Sequence, residues 1–319
     1  MRLFGNAQFQ FIEARKKAYL GSIIAILLGL FMGVYWQVTR GDFLNWSVDF
    51  LGGTLVQVHF DKPVSVADLR QVVEPLIPGT EITKFGAENE FLIRAPQFAR
   101  GAAEVADRIT RGLAQRFGQQ SFRVVRTEAV GPKVGGELRT KGVLAVLFSF
   151  LATLIYLAFR FEWRFGLAAT LATFHDILIT IGFIAAFRIE VSLPTVAAVL
   201  TIVGYSLNDT VIIFDRIREN LKRIGRREPF IKILDLSINE TLPRTVLTVS
   251  TTLATLYALF FLGGEMLRTF AEILIVGIMT GTYSSIFVAS PLLLEIHNRW
   301  GDTKSAARTR GTPPAAARV

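Results

Sequence analysis

Residues 193–214 read LPTVAAVLTIVGYSLNDTVIIF. A run this long and this apolar suffices for a helix to cross a hydrocarbon core of about 30 Å. Yet it carries a carboxylate, Asp209, close to its far end. An ionisable side chain inside such a run is costly and is read as functional by default. Thr201, Tyr205 and Asp209 recur at four-residue spacing with Asn208 beside the acid. One side of the helix is therefore polar and is expected to face the interior of a bundle. The plainer alternative is an inter-helix hydrogen-bonding site with no transport role.

Working outward, comparable apolar runs occur at residues 19–38, 143–159, 165–187, 246–262 and 270–294. Together they predict an α-helical polytopic membrane protein with six transmembrane helices, the lipid bilayer being its main solvent. Of the 319 residues, 51% are hydrophobic and 19% charged, which argues against an ordinary soluble enzyme. The net charge of +9 is concentrated beside the spans: Arg15, Lys16 and Lys17 precede the first, and Arg216, Arg218, Lys222, Arg223, Arg226 and Arg227 follow the fourth. That is a positive-inside pattern, placing both termini in the cytoplasm, and no basic face interleaved with aromatics speaks for nucleic acid. The first run is too long for a signal-peptide core and reads as a retained anchor behind a cytoplasmic segment, residues 1–18. The absence of cysteine excludes disulfides, thiol catalysis and thiolate metal sites.

Residues 39–140 differ in composition and fall outside the cytoplasmic membrane in this topology. Their pattern predicts strands at 54–60, 81–85, 90–95 and 122–130, with helices at 64–76 and 101–117. The order βαββαβ suggests a small ferredoxin-like α+β domain in the periplasm. Gly52-Gly53 marks one end, and Gly131-Pro132 with Gly135-Gly136 marks the other. Such pairs suit turns where a strand meets a membrane helix, either as hinges or as punctuation. The helices of residues 141–298 follow, and 299–319 read as a disordered cytoplasmic tail.

Further candidate residues lie inside the spans. Arg244 opens the fifth, and Thr248, Thr251, Thr252 and Thr255 continue its face. Packed against the fourth helix, Arg244 is a partner for Asp209; alternatively it snorkels to headgroups. Asp176 sits mid-span in the third, with Thr173 and Thr180 on its face and His175 beside it, and is either a second proton-handling acid or a packing acid. Gly277, Gly281, Ser284 and Ser285 form a small-residue strip suited to close helix contact. His59 and His297 have no companions at ligand spacing, so no metal site is expected. No phosphate loop, paired-histidine helix or nucleophile elbow is present, so neither an enzyme nor a bound cofactor is expected and the energy source is a partner or an ion gradient.

Several segments together resemble the SecF-type members of the SecD/SecF family of protein-export membrane proteins, within the RND superfamily. They are residues 48–54 (VDFLGGT), 130–132 (VGP), 159–164 (FRFEWR), 175–176 (HD), 204–209 (GYSLND) and 215–220 (DRIREN). The likeness covers nearly the whole chain apart from its termini; Pro243 before Arg244 is a departure from some relatives. The resemblance implies a six-span half that pairs with SecD into a pseudo-symmetric twelve-span unit. It implies proton conduction at Asp209 and Arg244, and use of the proton-motive force to assist export of an unfolded preprotein across the bacterial inner membrane. The SecYEG channel, YajC and YidC are the further partners implied. A half-transporter for small molecules or lipids and a non-transporting assembly scaffold are the rival readings; the small outer domain disfavours the first and the buried acids disfavour the second.

Overall fold

The computed structural model describes residues 8–85, 89–95, 102–225, 227–263 and 265–300. A 3-10 turn leads into α1 (Arg15–Arg40), which stops at Gly41 in the left-handed region (φ 86°). Two short elements follow, β1 (Asn45–Trp46) and α2 (Val48–Leu51), and then a compact domain: β2 (Gly53–Phe60), α3 (Val66–Val73), β3 (Glu81–Lys84), β4 (Glu90–Ala95), α4 (Ala102–Phe117) and β5 (Phe122–Val130). The chain continues through α5 (Pro132–Arg160), α6 (Trp163–Ala186), β6 (Glu190–Val191), α7 (Leu193–Ile224), α8 (Phe230–Leu262) and α9 (Glu265–Ser284). A π-helical segment (Ser285–Ala289) joins α9 to α10 (Ser290–Trp300).

The domain between α1 and α5 is the expected βαββαβ unit. Its sheet runs β3-β4-β2-β5 with every pairing antiparallel, the order of a ferredoxin-like fold. Val56 and Val58 of the central strand point with Phe91 and Ile93 into a core closed by Leu69 and Val73 of α3 and by Ile109 and Leu113 of α4. Ser65 and Asp68 form a capping box that starts α3. Accepting hydrogen bonds from Ser65 holds the Asp68 carboxyl below the usual aspartate range.

Among the described residues, six helical runs are long and apolar enough to cross a membrane: Ile12–Arg40, Lys133–Arg160, Trp163–Ala186, Leu193–Ile224, Phe230–Leu262 and Leu267–Trp300. The third, fourth and sixth form the buried centre of the bundle, whereas the run in α5 is almost wholly exposed on the isolated chain. Small residues allow the central helices to meet. A Cβ on Gly29 of α1 would lie 2.4 Å from Gly182 Cα of α6, and one on Gly281 of α9 would lie 2.9 Å from Ser206 Cβ of α7.

Two expectations need adjusting. The second span begins at Pro132, so Gly135 and Gly136 are helical residues in the first turns of α5 rather than parts of a turn. Proline at the first helical position, where its missing N–H costs nothing, explains the early start. The fifth span begins at Phe230 and carries Pro243 inside it, so Arg244 lies mid-helix instead of at the span's edge. A parallel pairing of β1 with β6 was not anticipated. The tail from residue 301 lies outside the described residues.

Candidate functional site

Asp209 is buried at 3% exposure in the middle of α7. Among the described residues no hydrogen bond or ion pair within 4 Å reaches its carboxylate; Arg244 of α8 is near enough only for its charge to act there through space. Arg244 itself is exposed on the isolated chain. The expected direct pair is therefore not closed in this arrangement. Near this level the two helices are joined by Tyr205, which donates its hydroxyl to Thr252 Oγ1 at 3.1 Å, and further along by Asn220, which donates to Ser237 Oγ at 3.0 Å and to Glu240 at 2.7 Å. Thr248 is half-buried, and its carbonyl accepts from the hydroxyls of Thr251 and Thr252. Next to Arg244, Thr245 Oγ1 is buried with no hydrogen-bond partner among the described residues.

The predicted polar stripe of α7 divides. Tyr205 and Asp209 turn inward or sit at the edge, but Thr201 and Asn208 are exposed, and Thr201 spends its hydroxyl on the carbonyl of Ala197 at 2.8 Å. A helix turns 100° per residue, so a stripe at four-residue spacing drifts by about 40° per step, enough to carry Thr201 off the face that buries Asp209. Gly204 lies on the same open side, with nothing within 4 Å of a Cβ placed there.

Asp176 has the opposite surroundings. It is 1% exposed on α6. Its Oδ2 accepts from Ser206 Oγ of α7 and from Ser284 Oγ of α9, the latter at 2.7 Å. Its Oδ1 lies 2.8 Å from His175 Nδ1, and His175 Nε2 meets Ser22 Oγ of α1 at 2.9 Å. With Asp176 ionised, His175 donates from Nδ1 and accepts from Ser22 at Nε2. Of the serines, Ser284 was legible only as a packing residue and Ser206 only as part of the segment 204–209. The missing signal was the requirement that a buried carboxylate find donors on the helices it packs against.

At the junction of bundle and outer domain, Arg94 of β4 pairs with Glu190 at 2.5 Å. Asp49 Oδ2 accepts from the Leu193 amide at the start of α7 at 3.0 Å, and the Ser47 amide donates to the Val191 carbonyl at 2.9 Å. Gly52 and Gly53, with φ of 76° and 125°, follow at once, in a backbone region that side-chain-bearing residues rarely enter. Gly131 caps α5. Gly135 packs against the α2 turn, where an added Cβ would meet Gly52 N at 2.9 Å, whereas Gly136 faces open space. Glu272 lines the cleft beneath this junction, and Glu295 pairs with Arg15 at 3.3 Å.

Comparison with known proteins gives this geometry its family. Residues 111–299 match the family described as "Protein export membrane protein SecD/SecF, C-terminal", and residues 44–64 match the SecD/SecF GG motif, which contains Gly52-Gly53. The chain belongs to the SecD/SecF family. Among its relatives is a protein translocase subunit SecF of Gemmatimonas aurantiaca, 48% identical over 97% of this chain and 93% of the relative. Another is the SecF of Rhodothermus marinus, 43% identical over 97% of this chain and 98% of that one. The crystal structure of SecDF, a translocon-associated membrane protein from Thermus thermophilus, superposes with a TM-score of 0.83 at 39% identity over 94% of this chain. This chain spans 40% of the length of that SecDF chain. Family membership and six apolar runs make this a multi-pass membrane protein.

Proposed function

We propose that this chain is the SecF-type subunit of a Sec protein translocase, pairing with SecD and using the proton-motive force to assist export of unfolded preproteins across the bacterial inner membrane. In this reading both termini are cytoplasmic, the ferredoxin-like domain is periplasmic, and the SecYEG channel, with YajC and YidC, is the surrounding machinery. The single observation that carries the reading is the state of Asp209: a buried membrane acid that, among the described residues, has no hydrogen-bond partner and lies within the field of a mid-helix arginine with no ion-pair partner. Such a carboxylate gains most from taking or losing a proton, because neither form is pinned by fixed donors. When ionised it draws Arg244 toward it; when protonated the attraction falls, so a proton gradient biases two arrangements of α7 against α8.

The bare polar face supports a partner half. Thr201, Gly204 and Asn208 of α7 and Arg244 of α8 are exposed on the isolated chain, and lipid tails satisfy neither an amide nor a guanidinium. A second bundle seated on this face covers them, and SecD is the family partner of matching architecture.

The test uses vesicles that contain this chain and SecD with the channel and its motor, energised with and without a proton gradient. Asp209→Asn and Arg244→Met are expected each to abolish gradient stimulation of export while ATP-driven translocation persists. Full gradient-dependent export by Asp209→Asn, at normal level and still bound to SecD, refutes the assignment.

A further inference from the structure

Two buried acids stand on neighbouring helices of the bundle, and their surroundings differ in kind. Both oxygens of Asp176 are engaged by side chains of α6, α7 and α9, whereas Asp209 has no hydrogen bond among the described residues. The ligands of Asp176 are well placed to fix α7. Ser206 lies one turn before Thr210 and Asp209, and Thr210 Oγ1 back-bonds to the Ser206 carbonyl at 3.4 Å. On α9 the helix leaves the α pattern directly after Ser284. Ser284 serves Asp176, and the next residue, Ser285, exchanges a hydrogen bond with Thr210 Oγ1 at 2.8 Å. Ser290 Oγ then donates to the Ser285 carbonyl at 3.0 Å, taking up an acceptor in the π segment. Adjacent serines thus address α6 and α7, and all of these hydroxyl groups are buried.

A cleft of about 310 Å³ between α1, α6 and α9 is lined by Ser22, His175 and Tyr283 and does not include Asp176. From α1, α7 and α9 the groups that meet the His175–Asp176 pair are Ser22, Ser206, Ser284 and Tyr283; among the described residues no charged side chain from those helices hydrogen-bonds to it. The donors that meet the Asp176 carboxylate come from α6, α7 and α9, so a rearrangement there disturbs contacts that hold three helices together.

We propose that Asp176 is a positioning residue rather than a second proton carrier. Through Ser206 and Ser284 it fixes the height of α7 against α6 and α9, and so sets where Asp209 stands relative to Arg244. The π segment that follows α9 lets Ser284 and Ser285 hold both helices at once. This rests on the reading of Asp209 given above.

The experiment measures gradient-driven export, and its pH midpoint, in vesicles holding the full chain and SecD. Asp176→Asn keeps the shape and one acceptor oxygen for the serine hydroxyls, and is expected to retain export within about tenfold of the parent, a change of about 1.4 kcal/mol in barrier. The double variant Ser206→Ala/Ser284→Ala, which leaves both acids in place, is expected to lower export and move its pH midpoint, because Asp209 is displaced. Co-purification with SecD confirms assembly of each variant. Asp176→Asn as inactive as Asp209→Asn, while still bound to SecD, overturns the proposal and makes Asp176 a carrier. A double serine variant with unchanged rate and midpoint overturns it as well. Gradient-driven export by Asp209→Asn strikes the proposed function instead, and is read from a separate variant.

Discussion

Arg94→Leu tests how the outer domain is held on the bundle. Arg94 extends from β4 to Glu190, in the loop before α7, at 2.5 Å, and the two side chains are 12% and 24% exposed. Burial pushes the Glu190 carboxyl above its ordinary 4.5; the Arg94 guanidinium pulls it back, and the nearby carboxylates Asp49 and Glu128 push it up again. Arg188 on the same loop and Glu81, 3.5 Å from Arg94, also stand at this joint, and Arg40, Arg126 and Glu272 line the same cleft. Breaking a fully buried pair by removing one partner costs about 3–5 kcal/mol, but residual exposure admits water here, so about 1–2 kcal/mol is expected. That lowers the docked fraction relative to the undocked by about five- to thirtyfold. The pH dependence has a definite sign. An acid whose pKa is raised on docking binds its proton more tightly in the docked state, so the penalty is full above the raised value and vanishes below the ordinary one. Docking in Arg94→Leu should therefore recover as the pH falls toward 4.5. Glu190→Gln should cost less than Arg94→Leu, since Arg94 keeps Glu81 at 3.5 Å. Because the chain lacks cysteine, spin labels at Lys62→Cys and Tyr257→Cys report the domain-to-bundle distance without background. An unchanged distance distribution in Arg94→Leu at neutral pH, or docking that weakens on acidification, refutes the reasoning.

Two further outcomes test the close glycine contacts. Gly135→Ala should destabilise the protein by about 1–3 kcal/mol, since its Cβ meets the α2 backbone at 2.9 Å, while Gly136→Ala, facing open space, should be neutral or slightly stabilising in thermal unfolding in detergent. Gly29→Val should separate α1 from α6 and lower the unfolding temperature, whereas Gly21→Ala, with nothing within 4 Å, should not; equal effects from the two would remove close packing as the cause.

Much of the architecture was legible because its signals are local. Apolar length gives spans and alternation gives β2, and the observed limits of β2 and β5 fall within a residue of the expected ones. Helix ends were less legible. α8 begins at Phe230, sooner than apolarity suggests, because a helix extends past the bilayer wherever its polar residues find partners, as Asn239 does with the backbone of Phe9. The acids were found for the reason they matter, the cost of charge in an apolar run. What surrounds each was not, because Ser206 and Ser284 are distant in sequence from Asp176 and a serine in a membrane helix looks alike whether it packs or donates. The β1–β6 pairing was invisible for a similar reason: two residues on either side carry no periodicity.

The position of α7 explains how a local change at Asp209 can reach the outer domain. From Leu193 to Asp209 the helix runs about 24 Å at 1.5 Å per residue, with its hydrogen bonds parallel to the axis, so an axial shift passes along it with little loss. Its first amide is held by Asp49, and the loop before it by Ser47, β1 and Arg94. Most of these contacts land on the short segment from β1 through α2, which the first turns of α5 touch from another side at Gly135. That segment leads directly into Gly52-Gly53 and then β2, which is paired on both edges, with β4 and β5. In the proposed cycle, displacement of α7 with α5 stationary applies a turning force to α2 rather than a simple push. The positive-φ glycines are the joint at which that turning can pass into the central strand without straining a side chain, and the sheet, paired on both edges of β2, then moves as one body.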